Sequence, residues 1–92
     1  MTSREAVYDA IDQECDHQDH KYGTPADRRM PISEYVRIAY AELREAKVSL
    51  DEGDQDAALC ELMQVAAVVV QCLRFHGVVT RLDMQLIEAD RS

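Results

Sequence analysis

The sequence predicts an all-α protein: a small helical bundle built on an antiparallel helix hairpin and completed by oligomerisation. Three observations carry this. Apolar residues recur at helical 3-4 spacing through most of the chain. The three Gly and two Pro fall between those periodic segments, where helices start and stop. Aromatics are only 5% of a chain that is 47% hydrophobic, without the aromatic and β-branched alternation of strands.

The first helix is expected over 3–22, on the stripe Tyr8, Ile11, Cys15, Gln18 and Tyr22. Gly23 ends it. Thr24-Pro25 reads as an N-cap followed by Pro at the first helical position, giving a helical turn over 25–29 that Pro31 closes. A second long helix is expected over about 32–51, with Ile32, Val36, Ala39, Leu43, Ala46 and Leu50 as its core stripe. Asp51-Glu52-Gly53-Asp54 is a turn, so the next helix, roughly 54–76, folds back. After Ala57 that helix is apolar almost all round, interrupted by Glu61, Gln64, Gln71 and Arg74. A helix of this kind must be surrounded. A chain of 92 residues has too few other helices to do so, which points to a partner subunit. Gly77 breaks it, and 78–89 forms a last helix on Val79, Leu82, Leu86 and Ala89.

The chain reads as one domain, 1–92. A formal charge of −8 argues against nonspecific binding to nucleic acid or anionic membranes. The N-terminal residues lack the apolar core of a signal peptide, and the run Val65 to Val70 is too short to span a bilayer. Cys15, Cys60 and Cys72 sit in helical patterns rather than a disulfide framework, so a cytoplasmic setting is expected.

The chemistry lies in two signatures, Glu42-Leu43-Arg44-Glu45 and Glu61-Leu62-Met63-Gln64. Residues i and i+3 share one helix face. If the two helices fold back on each other, three carboxylates and one amide meet. Such oxygen ligands suit Mg²⁺, which keeps waters and bridges to substrate phosphates. A surface carboxylate pair is ordinarily a solvated helix face. Glu61, on an otherwise apolar helix, has to be paired, coordinated or at an edge. Gln18, Lys21 and Tyr22 end the first helix where a cation and an aromatic ring could close over a nucleotide; packing and solvation explain them equally well. Cys15, His17 and His20 lack a second half-site for zinc and read as a packed thiol with solvated imidazoles. No glycine-rich phosphate loop or nucleophile elbow is present.

These motifs resemble a known family. Ala41-Glu42-Leu43-Arg44-Glu45-Ala46 followed by Glu61-Leu62-Met63-Gln64-Val65-Ala66-Ala67-Val68 is similar to the MazG-like all-α nucleoside triphosphate pyrophosphohydrolases. Gln18-Asp19-His20-Lys21-Tyr22-Gly23 is similar to the segment before the first acidic helix in small bacterial and phage members. The resemblance covers residues 14–75. It implies dimers or larger assemblies, and Glu42, Glu45 and Glu61 as ligands of Mg²⁺, with Mn²⁺ as a substitute. Gln64 stands where the family pattern, ExxE then ExxD, has its last acid. An amide oxygen can coordinate but adds no charge.

The implied reaction is attack of water between the α and β phosphates of a nucleoside triphosphate, releasing monophosphate and pyrophosphate. Glu45 would orient or deprotonate that water, and Glu61 is the second catalytic candidate. Gln18, Lys21, Tyr22 and Arg74 are the substrate-binding candidates. The alternative is a non-catalytic protein that sequesters a nucleotide or nucleotide-derived signal at its subunit interface, a reading that Gln64 favours. A ligand-free structural bundle is the third option.

Overall fold

The computed structural model describes residues 1–91 and is all-α, with four longer helices and one helical turn among the described residues. The elements are α1 (Arg4–Tyr22), α2 (Pro25–Arg28), α3 (Ile32–Asp51), α4 (Gln55–His76) and α5 (Arg81–Arg91).

Local chemistry sets each boundary. Ser3 caps α1 by accepting from the Ala6 N–H at 3.1 Å. Gly23 ends α1 at φ 91°, a left-handed backbone that suits glycine, and its N–H bonds the Asp19 carbonyl at 3.0 Å. Thr24 and Asp27 form a reciprocal capping box around α2, with Pro25 at its start. Asp54 caps α4 by accepting from the Ala57 N–H at 3.0 Å. The last helix begins three residues later than its apolar pattern suggests. The backbone N–H groups of Thr80 and Asp83 each donate to the other's side-chain oxygen there, a capping box that fixes the start at Arg81 and leaves Val78 and Val79 outside.

Residues 52–54 join α3 to α4, and these two helices pack along each other more extensively than any other pair. α1 and α2 pack against α4. The shared core is small: Cys15, Tyr35, Ala46, Ala58 and Ala67. Every residue of α5 is exposed.

The expected core stripe of α3 needs correction. Ala46 is buried as expected, but Ile32, Val36, Leu43 and Leu50 are exposed. The face turned inward is the adjacent stripe Tyr35, Ile38, Glu42, Ala46 and Ser49. Hydropathy pointed to the wrong face because the inward stripe carries a carboxylate and two hydroxyls. Glu42 therefore lies within the α3–α4 contact rather than on a flank.

α4, at 22 residues, is long and apolar enough to cross a membrane by length and composition. The run Val65 to Val70 lies within it. Its polar residues Glu61, Gln64 and Gln71 are all at least half-buried against other parts of the fold.

Candidate functional site

α3 presents Glu42 and Glu45 one turn apart, and α4 presents Glu61 opposite them. One carboxylate oxygen from each lies within 4.8 Å of the others. Glu45 is exposed, whereas Glu42 and Glu61 are partly buried. The Oε2 atoms of Glu42 and Glu61 are both buried with no hydrogen-bond donor among the described residues. The adjacent Glu61 carboxyl, burial, and the charges of Glu45 and Glu14 together push the Glu42 carboxyl up to about 7. Two orphaned carboxylate oxygens in an all-oxygen donor set fit a hard divalent cation.

Beside this cluster a cavity of about 370 Å³ opens between α1, α3 and α4. Glu42, Glu14 and Gln64 line its acidic end; Lys21, Tyr22, Arg28, Tyr35 and Gln71 line the other. Lys21 Nζ sits 5.1 Å from the Tyr22 ring centre, and the Arg28 guanidinium carbon 5.6 Å from it. The cavity thus has a site suited to a metal at one end and two cations around an exposed aromatic ring at the other.

A buried clamp orients α1. The Gln71 amide donates to the Cys15 carbonyl at 3.2 Å and to Asp19 at 2.6 Å, and its oxygen accepts from Arg74 at 2.7 Å. Arg74 also pairs with Asp19 at 3.3 Å. This ties α4 to α1 and turns Gln18, Lys21 and Tyr22 toward the cavity.

Of the candidates read from sequence, Glu42, Glu45 and Glu61 come together, and Gln18, Lys21, Tyr22 and Gln64 line the adjoining cavity. Gln64 directs its amide toward Cys60 Sγ at 3.8 Å. Arg74 is engaged in the clamp and is not on the cavity wall. Burial pushes the Cys15 thiol up, away from the thiolate that zinc requires, and His17 and His20 are exposed. Sequence reasoning missed Glu14, Arg28 and Tyr35, and named His17 and Gln71 without placing them on this cavity. Glu14 was within reach, since it sits one turn before Gln18 on the same α1 stripe.

No family model matches the chain, and no curated protein or solved structure matches it significantly. The site's own geometry therefore carries the functional reading.

Proposed function

We propose that this chain is a Mg²⁺- or Mn²⁺-dependent nucleotide pyrophosphohydrolase of MazG-like type, cleaving a nucleoside triphosphate to monophosphate and pyrophosphate. The observation that carries the reading is the convergence of Glu42, Glu45 and Glu61 within 4.8 Å, two of them with orphaned buried oxygens, beside a cavity that Glu42 lines together with Lys21 and Arg28.

Glu42 and Glu61 would hold the cation from the buried side and Glu45 from the exposed side, with Gln64 available as a neutral fourth donor. When bound, such a cation supplies Lewis acidity and lowers the pKa of water. Glu45, the solvent-facing member, is placed to orient a water and to take its proton. Lys21 and Arg28 offer direct contacts to an anionic ligand, and Tyr22 a stacking surface.

The fold reading is an antiparallel α3–α4 hairpin completed by oligomerisation. Its support is an apolar groove of about 300 Å³ that includes Val36, Tyr40, Leu43, Val65, Val69 and Leu73. By helical position these α4 residues lie opposite Ala67 and Gln71, which face α1. A second subunit on this side would surround α4, so a core helix explains its composition better than a membrane span. Three free cysteines agree with a cytoplasmic setting.

A second reading, a nucleotide-sequestering protein without turnover, is favoured by Gln64, which leaves the cluster one charge short of the family pattern. Incubation of the protein with a panel of nucleoside triphosphates and Mg²⁺, with products separated by chromatography, decides between them. Monophosphate plus pyrophosphate, lost in Glu45→Ala and Glu61→Ala variants that remain folded, is the expected result. Nucleotide recovered intact after co-eluting with the protein would leave the sequestering reading in place.

A further inference from the structure

α5 is a wholly exposed helix with one apolar face. Leu82 and Leu86, 65% and 59% exposed, share that face with Ala89. Asp83 and Asp90, seven residues apart, flank it on one side. The open groove between α3 and α4 carries the complementary pattern. Val36, Tyr40 and Leu43 form its α3 wall. By helical position Arg37 and Arg44, also seven residues apart, flank that wall on the side away from α4. Both arginines are exposed; Arg37 pairs with Glu34 on its own helix, and Arg44 has no ion-pair partner among the described residues. Each charged pair spans roughly 10 Å along its helix. On the other wall, α4 carries no charged residue from Leu62 to Leu73.

The flanks fix a direction. Viewed from N- to C-terminus, each charged pair lies clockwise of its apolar stripe. Two such flanks meet on the same side only when the helices run antiparallel. α5 then lies antiparallel to α3, with Asp83 beside Arg44 and Asp90 beside Arg37. On the α3–α4 hairpin proposed above, this direction is parallel to α4, and Arg44 is level with Leu62. A chain's own α5 cannot adopt that pose. It would have to start roughly 20 Å back from His76 along α4 and about 10 Å to the side. Residues 77–80, fully extended, span only about 18 Å. Folding straight back would instead turn Asp83 and Asp90 toward the uncharged wall of α4.

We propose that the groove is filled by α5 of a second copy of this chain. Reciprocal docking fills both grooves and closes a two-fold dimer. The inference rests on the oligomer proposed above and names the segment that forms it.

The test is sedimentation of full-length variants, with circular dichroism as the check on folding. Leu86→Asp changes a residue already in solvent in the single chain, so helicity should persist while the dimer weakens by about a hundredfold. Arg37→Asp and Asp90→Arg should each weaken the dimer about tenfold at low salt, because two rim pairs per dimer turn from attractive to repulsive. An equimolar mixture of these two variants should recover the wild-type dissociation constant, since the mixed dimer places opposite charges at both rims. Docking of α5 within its own chain would show no such recovery.

A dimer unaffected by Leu86→Asp or by the charge changes, or a mixture that fails to recover, overturns the inference while leaving an oligomer held by another surface. A wild type that is monomeric at all concentrations would instead remove the oligomer itself, and this inference with it.

Discussion

Glu42 on α3 faces Glu61 on α4 with carboxylate oxygens within 4.8 Å of each other, and the buried Oε2 of each has no hydrogen-bond partner among the described residues. The Glu61 carboxyl beside it, with burial, pushes Glu42 up to about 7, so Glu42 holds a proton into the neutral range. A divalent cation can take that proton's place. The metal-site proposal and the pH behaviour of the free protein therefore have the same origin.

The stability of the metal-free protein should fall as pH rises from about 4.5 to about 7. Glu42 is raised from 4.5 to about 7 in the folded chain, so over that interval the folded state binds more protons than the unfolded state. Its favourable contribution is complete below the unfolded value and lost above the folded one. After discounting for solvent screening the change is on the order of 2 kcal/mol. Urea unfolding in chelator at pH 5.5 and pH 8 checks this, and Glu61→Gln should flatten the slope. Stability that is constant or rises across the window would contradict the raised Glu42 carboxyl.

The helix boundaries were legible because they depend on local signals: Ser3 before α1, Gly23 after it, Thr24-Pro25 at α2, and Asp51 to Asp54 between α3 and α4. The acidic cluster was legible because i,i+3 spacing on two connected helices forces its members together. The inward face of α3 was not. Its stripe through Tyr35, Glu42 and Ser49 is more polar than the neighbouring stripe through Ile32, Val36 and Leu43, which stays exposed. Glu42 faces Glu61 on another helix, and no periodicity within α3 records that. Gln71 stood out as a polar interruption of α4, but its role did not, since its partners Cys15 and Asp19 lie more than fifty residues earlier.

Gln71→Leu should destabilise the fold by about 2 kcal/mol. The side chain is 2% exposed, and its loss strips the Cys15 carbonyl and Asp19 of a donor. Chemical denaturation measures the change. A variant as stable as the wild type would mean that the α1–α4 clamp contributes nothing.

Gln64→Asp should tighten divalent-cation binding by roughly tenfold, because it adds a charged oxygen ligand beside Glu61. Without metal the extra like charge should lower stability at pH 8. The rise in melting temperature on adding Mg²⁺ should therefore be larger than in the wild type. An equal or smaller rise would place position 64 outside the metal's ligand set.

The exposed apolar face of α3 and α4 should be an interface. Val69 is 44% exposed and Leu43 48%. Val69→Lys, at a site already open in the single chain, should shift sedimentation from an oligomer to the 10.5 kDa monomer while preserving helicity. A wild-type chain that sediments as a monomer at all concentrations would remove the oligomer proposal.

The most direct test of the central claim is calorimetric titration of the protein with Mg²⁺ at pH 7, in two buffers of different ionisation enthalpy. One site per chain is expected, with a heat that depends on the buffer because binding expels the proton held by Glu42. Glu61→Gln should abolish or greatly weaken that site. Absence of binding at millimolar Mg²⁺, or binding unaffected by Glu61→Gln, would contradict the assignment of Glu42, Glu45 and Glu61 as a metal centre.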